Sequence, residues 1–154
     1  MKSKIFLLLV IIIPLLFSCK ESSCDLNTSS QLQIGFYTLR KVSSLPDTLD
    51  TLSIYGIGKE GHLLYKDSSV VSSFFLPLSM NRDSSSFVIN SKGKTLDTLS
   101  VNYTRHLQLI SKECGFATIF EITKVNVSKH FFDSLSVTNT TVSTNYAENI
   151  RIFF

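Results

Sequence analysis

From Leu32 onward, apolar residues recur at every second position, in one stretch after another. A period of two puts successive side chains on opposite faces of a strand, whereas an amphipathic helix repeats every 3.6 residues. Leu32, Ile34 and Phe36 share one face of QLQIGFYTL, and Leu52, Ile54 and Gly56 share one face of TLSIYGIG. HLLYK follows a glycine-rich turn. SFFLPL contains Pro77, which cannot donate to a ladder and therefore marks an edge strand. SFVIN leads into Ser91-Lys92-Gly93, a hairpin turn. TLDTLSVNYTRHLQLI is long enough for one bent strand or for two. In GFATIFEITKVNVS the alternation puts Ala117, Ile119, Glu121, Thr123, Val125 and Val127 on one face, and Phe116, Thr118, Phe120 and Ile122 on the other. SLSVTNTTV and NIRIFF complete the series, and KHFFDSL offers one helical turn at most. Eight or nine short strands with turn residues between them predict an all-β domain. The expected architecture is an antiparallel β-sandwich, immunoglobulin-like or Greek-key. A small closed β-barrel is the alternative, because it produces the same alternation.

The N-terminus is built differently. Lys2 and Lys4 precede Ile5–Phe17, thirteen residues without a charge, followed by the small Ser18. A basic start, an apolar run and a small residue form the order of a secretory signal peptide. The run is shorter than the roughly 20 residues of a spanning helix, and it lacks the polar face of an amphipathic core helix. Leu16-Phe17-Ser18-Cys19 resembles a bacterial lipobox. The resemblance implies cleavage before Cys19, a diacylglycerol on its sulfur, and an acyl chain such as palmitate on its new amino group. Two or more chains hold a protein stably at a membrane, where one holds it only marginally. The chain then divides into a signal peptide (1–18), a lipidated polar tether (19–31) and one β-domain (32–154). The membrane becomes a partner through the N-terminal lipid. The implied location is the bacterial cell envelope, at the outer membrane, on its periplasmic face or at the cell surface.

Without the signal segment the chain keeps 13 basic and 12 acidic residues, a formal charge of +1. The basic residues are scattered, which excludes the phosphate-neutralising patch of a nucleic-acid binder. Once Cys19 carries lipid, Cys24 and Cys114 remain, and export places them in an oxidising compartment where pairing is the default. A disulfide between them is expected, closing a long loop for several kcal/mol in chain-entropy terms. Two separate buried thiols are the alternative.

Sites of chemistry are few. Gly56-Ile57-Gly58-Lys59-Glu60-Gly61 fits G-x-G-x-x-G, but the nucleotide-binding use of that pattern needs a helix after it, and here a strand pattern follows. A glycine-rich hairpin accounts for it. His62, His106 and His130 have no partner at metal-ligand spacing, and no G-x-S-x-G elbow occurs. No catalytic residue, metal ligand or cofactor is expected. Asp47-Thr48-Leu49, Asp50-Thr51-Leu52, Asp97-Thr98-Leu99 and Asp133-Ser134-Leu135 resemble the Asp-Ser/Thr-aliphatic acceptor of the O-glycosylation system of Bacteroidota. That resemblance implies glycans on Thr48, Thr51, Thr98 and Ser134. The competing account is that Asp and Thr sit in turns while Leu begins a strand.

Across its length the chain resembles the uncharacterised Bacteroidota lipoproteins grouped as domain of unknown function 6452. The resemblance is carried by the lipobox ending at Cys19, then Cys24, LQIGFYTL, LSIYGIG, the LPL at Leu76–Leu78, DTLSVNY at Asp97–Tyr103, CGFATIFEI from Cys114, and IRIFF. It implies a location and an architecture, and it transfers no activity. The functional expectation is a lipid-anchored envelope protein acting as a structural or interaction module, with envelope proteins or glycans as partners. The alternative is a glycan- or small-ligand-binding β-domain, for which Tyr37, Tyr55, Tyr65 and Tyr103 are the available aromatics.

Overall fold

Two facing sheets use up the alternation. The computed structural model describes residues 23–40, 43–91, 94 and 96–154. The signal segment, Cys19, and Lys92 and Gly93 of the expected turn lie outside the described residues. The strands are β1 (Gln31–Arg40), β2 (Ser43–Pro46), β3 (Leu52–Gly56), β4 (Leu63–Ser68), β5 (Ser73–Pro77) and β6 (Ser84–Ser91). They continue with β7 (Asp97–Ser111), β8 (Gly115–Val127), β9 (Ser134–Val137), β10 (Thr141–Val142) and β11 (Glu148–Phe153).

In the first sheet β11 lies between β9 and β1, and the other edge of β1 is shared by two strands. β5 pairs with its first half, Gln31 to Gly35, and β2 with its second. The second sheet runs β10-β8-β7-β6-β3-β4. Pairing is antiparallel except between β1 and β11, which run parallel. β9 and β10 are close in sequence but belong to different sheets, so the chain crosses the sandwich between them.

The core fills the space between the sheets. Leu32, Ile34 and Phe36 of β1, Phe74 and Leu76 of β5, and Ile150 and Ile152 of β11 face Leu52, Ile54, Ile89, Leu99, Val101 and Phe120 of the second sheet. Alternation sends the intervening residues outward, as Gln33 and Arg151 show. Phe36 sits at an aromatic junction, with its ring 5.1 Å from Phe74 and 5.9 Å from both Phe132 and Phe154.

One open alternative is resolved and two sequence expectations change. TLDTLSVNYTRHLQLI is a single 15-residue strand, β7. β8 does not keep one face throughout: Asn102 pairs with Lys124, but Tyr103 pairs with Ile122, so a bulge absorbs Thr123. The extra residue flips the alternation. Phe120 and Ile122 therefore point into the core together with Val125 and Val127, which the uninterrupted pattern puts on the opposite face. KHFFDSL forms no helical turn; residues 128–133 run as an irregular loop before β9.

Registers give the sandwich two distinct ends. The β7–β8 tip, the β3–β4 turn, the β5–β6 loop and the start of β1 gather at one end, here the tether end. The start of β7, the loop at 128–133 and the end of β11 gather at the other, the far end. Replacing Phe36 by Ala empties the aromatic junction and should cost about 3–5 kcal/mol. Urea denaturation of the purified protein checks this; a loss under about 1 kcal/mol would show that the two sheets do not depend on that junction.

Candidate functional site

At the tether end, Cys24 and Cys114 are joined at disulfide distance, with Cα atoms 4.9 Å apart although they stand 90 positions apart in sequence. Cys114 closes the β7–β8 turn, where its N–H donates to the Ser111 hydroxyl. Gly115 follows with φ of 71°, a left-handed conformation that suits glycine. The tether is also held by Asn27, whose side-chain amide donates to the Thr144 carbonyl. Asn27 also accepts the Ser29 N–H in a local turn.

The same end carries a cleft of about 1030 Å³. Its floor is Leu78 and Phe87, and its rim bears Lys59, His62 and Arg82 among serine hydroxyls. The G-x-G-x-x-G segment forms one wall as the β3–β4 hairpin turn. Lys59 N–H donates to the Gly56 carbonyl and His62 N–H to that of Lys59, while Gly58 takes a φ of 77°. A strand follows the turn, so no helix N-terminus is presented. Tyr103 braces the opposite wall from below. Its hydroxyl lies 2.7 Å from Ser85 Oγ, accepts the Ser79 N–H at 2.8 Å and donates to the Ser79 carbonyl at 3.1 Å.

Three of the four tyrosines considered for ligand contact, Tyr37, Tyr65 and Tyr103, are engaged within the fold. Tyr103 is buried and meets Phe120 edge-on. Tyr65 bonds both the N–H and the carbonyl of Phe75 and packs edge-on against Phe74. Tyr55 is half-buried. Tyr37 lies on the outer face of the first sheet, where it donates to Glu148 at 2.8 Å. Arg151 donates to the other Glu148 oxygen at 2.6 Å and stacks 4.8 Å from the Tyr37 ring. Burial and the Glu148 carboxylate both raise the Tyr37 pKa, and the Glu148 hydrogen bond raises that of Arg151. Gly35 leaves room for this cluster, since a Cβ there would collide with the Glu148 carboxylate.

Their strand registers put the four acceptor-like tripeptides toward the far end. Thr48 is exposed, and Thr51, Thr98 and Ser134 are half-buried. Two of the aspartates have structural work. Asp47 accepts the Thr48 N–H and pairs with the Thr38 hydroxyl. Asp97 is 1% exposed. Its Oδ1 accepts the Ser128 hydroxyl and His130 N–H, and its Oδ2 accepts the N–H groups of Phe131 and Phe132. Sequence reasoning missed this role, because the partners lie over 30 positions downstream. Among the described residues no group of three or more His, Cys, Asp or Glu side chains is placed to hold a metal ion. His130 instead meets the Asp97 carboxylate at 3.5 Å.

Fold and site together define an all-β sandwich with its N-terminal tether stapled to a projecting hairpin. The chain belongs to the family of unknown function DUF6452, whose model matches residues 51–154. No curated protein and no solved structure matches it.

Burial on its own would raise the Asp97 pKa, but hydrogen bonds from His130, Phe132, Ser128 and Phe131 outweigh it and lower the value. A depressed folded pKa stabilises the protein above the unfolded pKa, and that contribution is lost as pH falls through the folded one. Asp97→Asn turns an NH₂ toward two of the four donors and should cost about 2–3 kcal/mol at neutral pH. The gap between wild type and variant should then narrow as pH falls through and below the ordinary carboxylate range. Urea titrations across that range check it, and a constant gap would show that the charge of Asp97 is not what orders the loop.

Proposed function

We propose that this protein is a lipid-anchored module of the bacterial cell envelope, held through acylated Cys19 and acting as a structural or interaction domain. The observation that carries the reading is the pairing of Cys24 with Cys114. A disulfide persists in oxidising compartments, and this one leaves Cys19 as the cysteine available for lipid. The lipobox-like Leu16-Phe17-Ser18-Cys19 and the signal-like segment before it support the same location. Within this reading the far end points away from the membrane, and the exposed Thr48 is the best-placed candidate for O-glycosylation.

Expressed with its own N-terminus in a bacterium, the protein should partition with membranes and show acyl mass on the peptide starting at Cys19. Cys19→Ala should move it to the soluble fraction and remove that mass. An unchanged distribution would overturn the reading.

The cleft at the tether end favours a second reading, a glycan- or small-ligand-binding domain. Its cationic and hydroxyl-rich rim suits polar, hydrogen-bonding ligands. A ligand at about 100 times its Kd stabilises the native state by about 2.7 kcal/mol. Glycan fragments should therefore raise the melting temperature, and Arg82→Ala should reduce the rise. A melting temperature that no fragment moves would remove this reading.

A further inference from the structure

The β7–β8 hairpin outruns the sandwich. Beyond Tyr103, every β7 residue from Thr104 to Leu109 is exposed, yet the two strands stay paired to Ser111 and Gly115. Leu107 pairs with Thr118 and Leu109 with Phe116. Paired residues share a face and every second residue returns to it, so Leu107, Leu109 and Phe116 continue the face that holds Tyr103 and Ile122 in the core. Outside the core that face meets solvent: Leu107 is 68% exposed, Leu109 54% and Phe116 63%. Met80, 65% exposed, lines a shallow recess with Leu107. An apolar stripe of this kind marks an interaction surface.

The chain outside the described residues indicates what covers it. Cys114, at the hairpin tip, is bonded to Cys24. Cys24 stands five positions after Cys19, a reach of about 18 Å at full extension. Phe116 is two positions from Cys114, about 7 Å along the strand. Acyl chains on Cys19 would therefore keep the tip within about 18 Å of the lipid headgroups, close enough for the arm to reach them. The exposed Lys112, in the turn, can reach lipid phosphate while its stem stays apolar.

We propose that the β7–β8 arm is a membrane-contacting element, and that Leu109 and Phe116, backed by Leu107, insert into the interface of the bilayer that anchors Cys19. This rests on the lipid-anchor reading and goes beyond it. The domain would be docked at a fixed orientation, tether end down, rather than swinging on a flexible leash.

The chain has no tryptophan, so Phe116→Trp introduces a single reporter at an exposed position. Leu45→Trp, on exposed β2 toward the far end, is the control. Both are made in the full lipidated protein and reconstituted into phosphatidylethanolamine–phosphatidylglycerol vesicles carrying brominated acyl chains. An intact Cys24–Cys114 bond, read by mass without reductant, verifies folding. The expected result is flotation of both variants, with a blue shift and bromine quenching for Phe116→Trp and neither for Leu45→Trp. Flotation with an unquenched Phe116→Trp indole overturns the docking and leaves the anchor standing. A blue shift that grows with protein concentration without quenching assigns the stripe to a second copy of the chain and also overturns it. Failure of the wild-type protein to float removes the anchor reading and this inference together.

Discussion

The first sheet hangs on β1. Its two edges hold β11 on one side and β5 and β2 in succession on the other, and among the described residues β9 joins this sheet through β11. Its inward residues Leu32, Ile34 and Phe36 are fully buried against the second sheet. Take β1 away and the remaining strands of its sheet lose their common ladder, while the apolar face of β3, β6, β7 and β8 loses much of its cover. The span matched by the family model begins at residue 51, after β1 and β2. The strand that organises this sheet therefore lies in the part of the chain that the family model does not match.

Much of this was legible in sequence, because the physics involved is local. A side chain's face follows from its parity, so the core positions of β1, β3, β6 and β11 could be read directly from alternation. Pro77 marked β5 as an edge, and among the described residues β5 has β1 as its one strand partner. The glycine pattern at 56–61 could be assigned to a hairpin because a strand pattern followed it. The two sheets, with β9 and β10 on opposite sides of the crossing, separate a sandwich from a barrel, a distinction that alternation cannot make.

What parity cannot carry is a change of phase or a partner far along the chain. The bulge at Thr123 costs one residue and inverts every later assignment on β8, and nothing in the residue types there announces it. β2 has only four residues and ends in Pro46, too short for alternation to register. Asp97 was read as part of a repeated acceptor-like tripeptide, whereas its carboxylate organises the loop at 128–132. Tyr37, Tyr65 and Tyr103 serve as braces, with Tyr103 tying the β5–β6 loop to the core through one hydroxyl. In each case the deciding contact joins residues that sequence order keeps apart.

The position of the Cys24–Cys114 bond also determines how the domain bears load. Tension carried by the chain before Cys24 divides at the bond, and one branch enters the domain at the tip of the β7–β8 hairpin instead of at Gln31. From there it runs down β7 and β8 together into the ladder that β7 shares with β6, whose bonds lie perpendicular to the pull. Such bonds must shear together and cannot be peeled off one by one. The strand on which the first sheet depends is therefore relieved of stress from the side where the chain is tied.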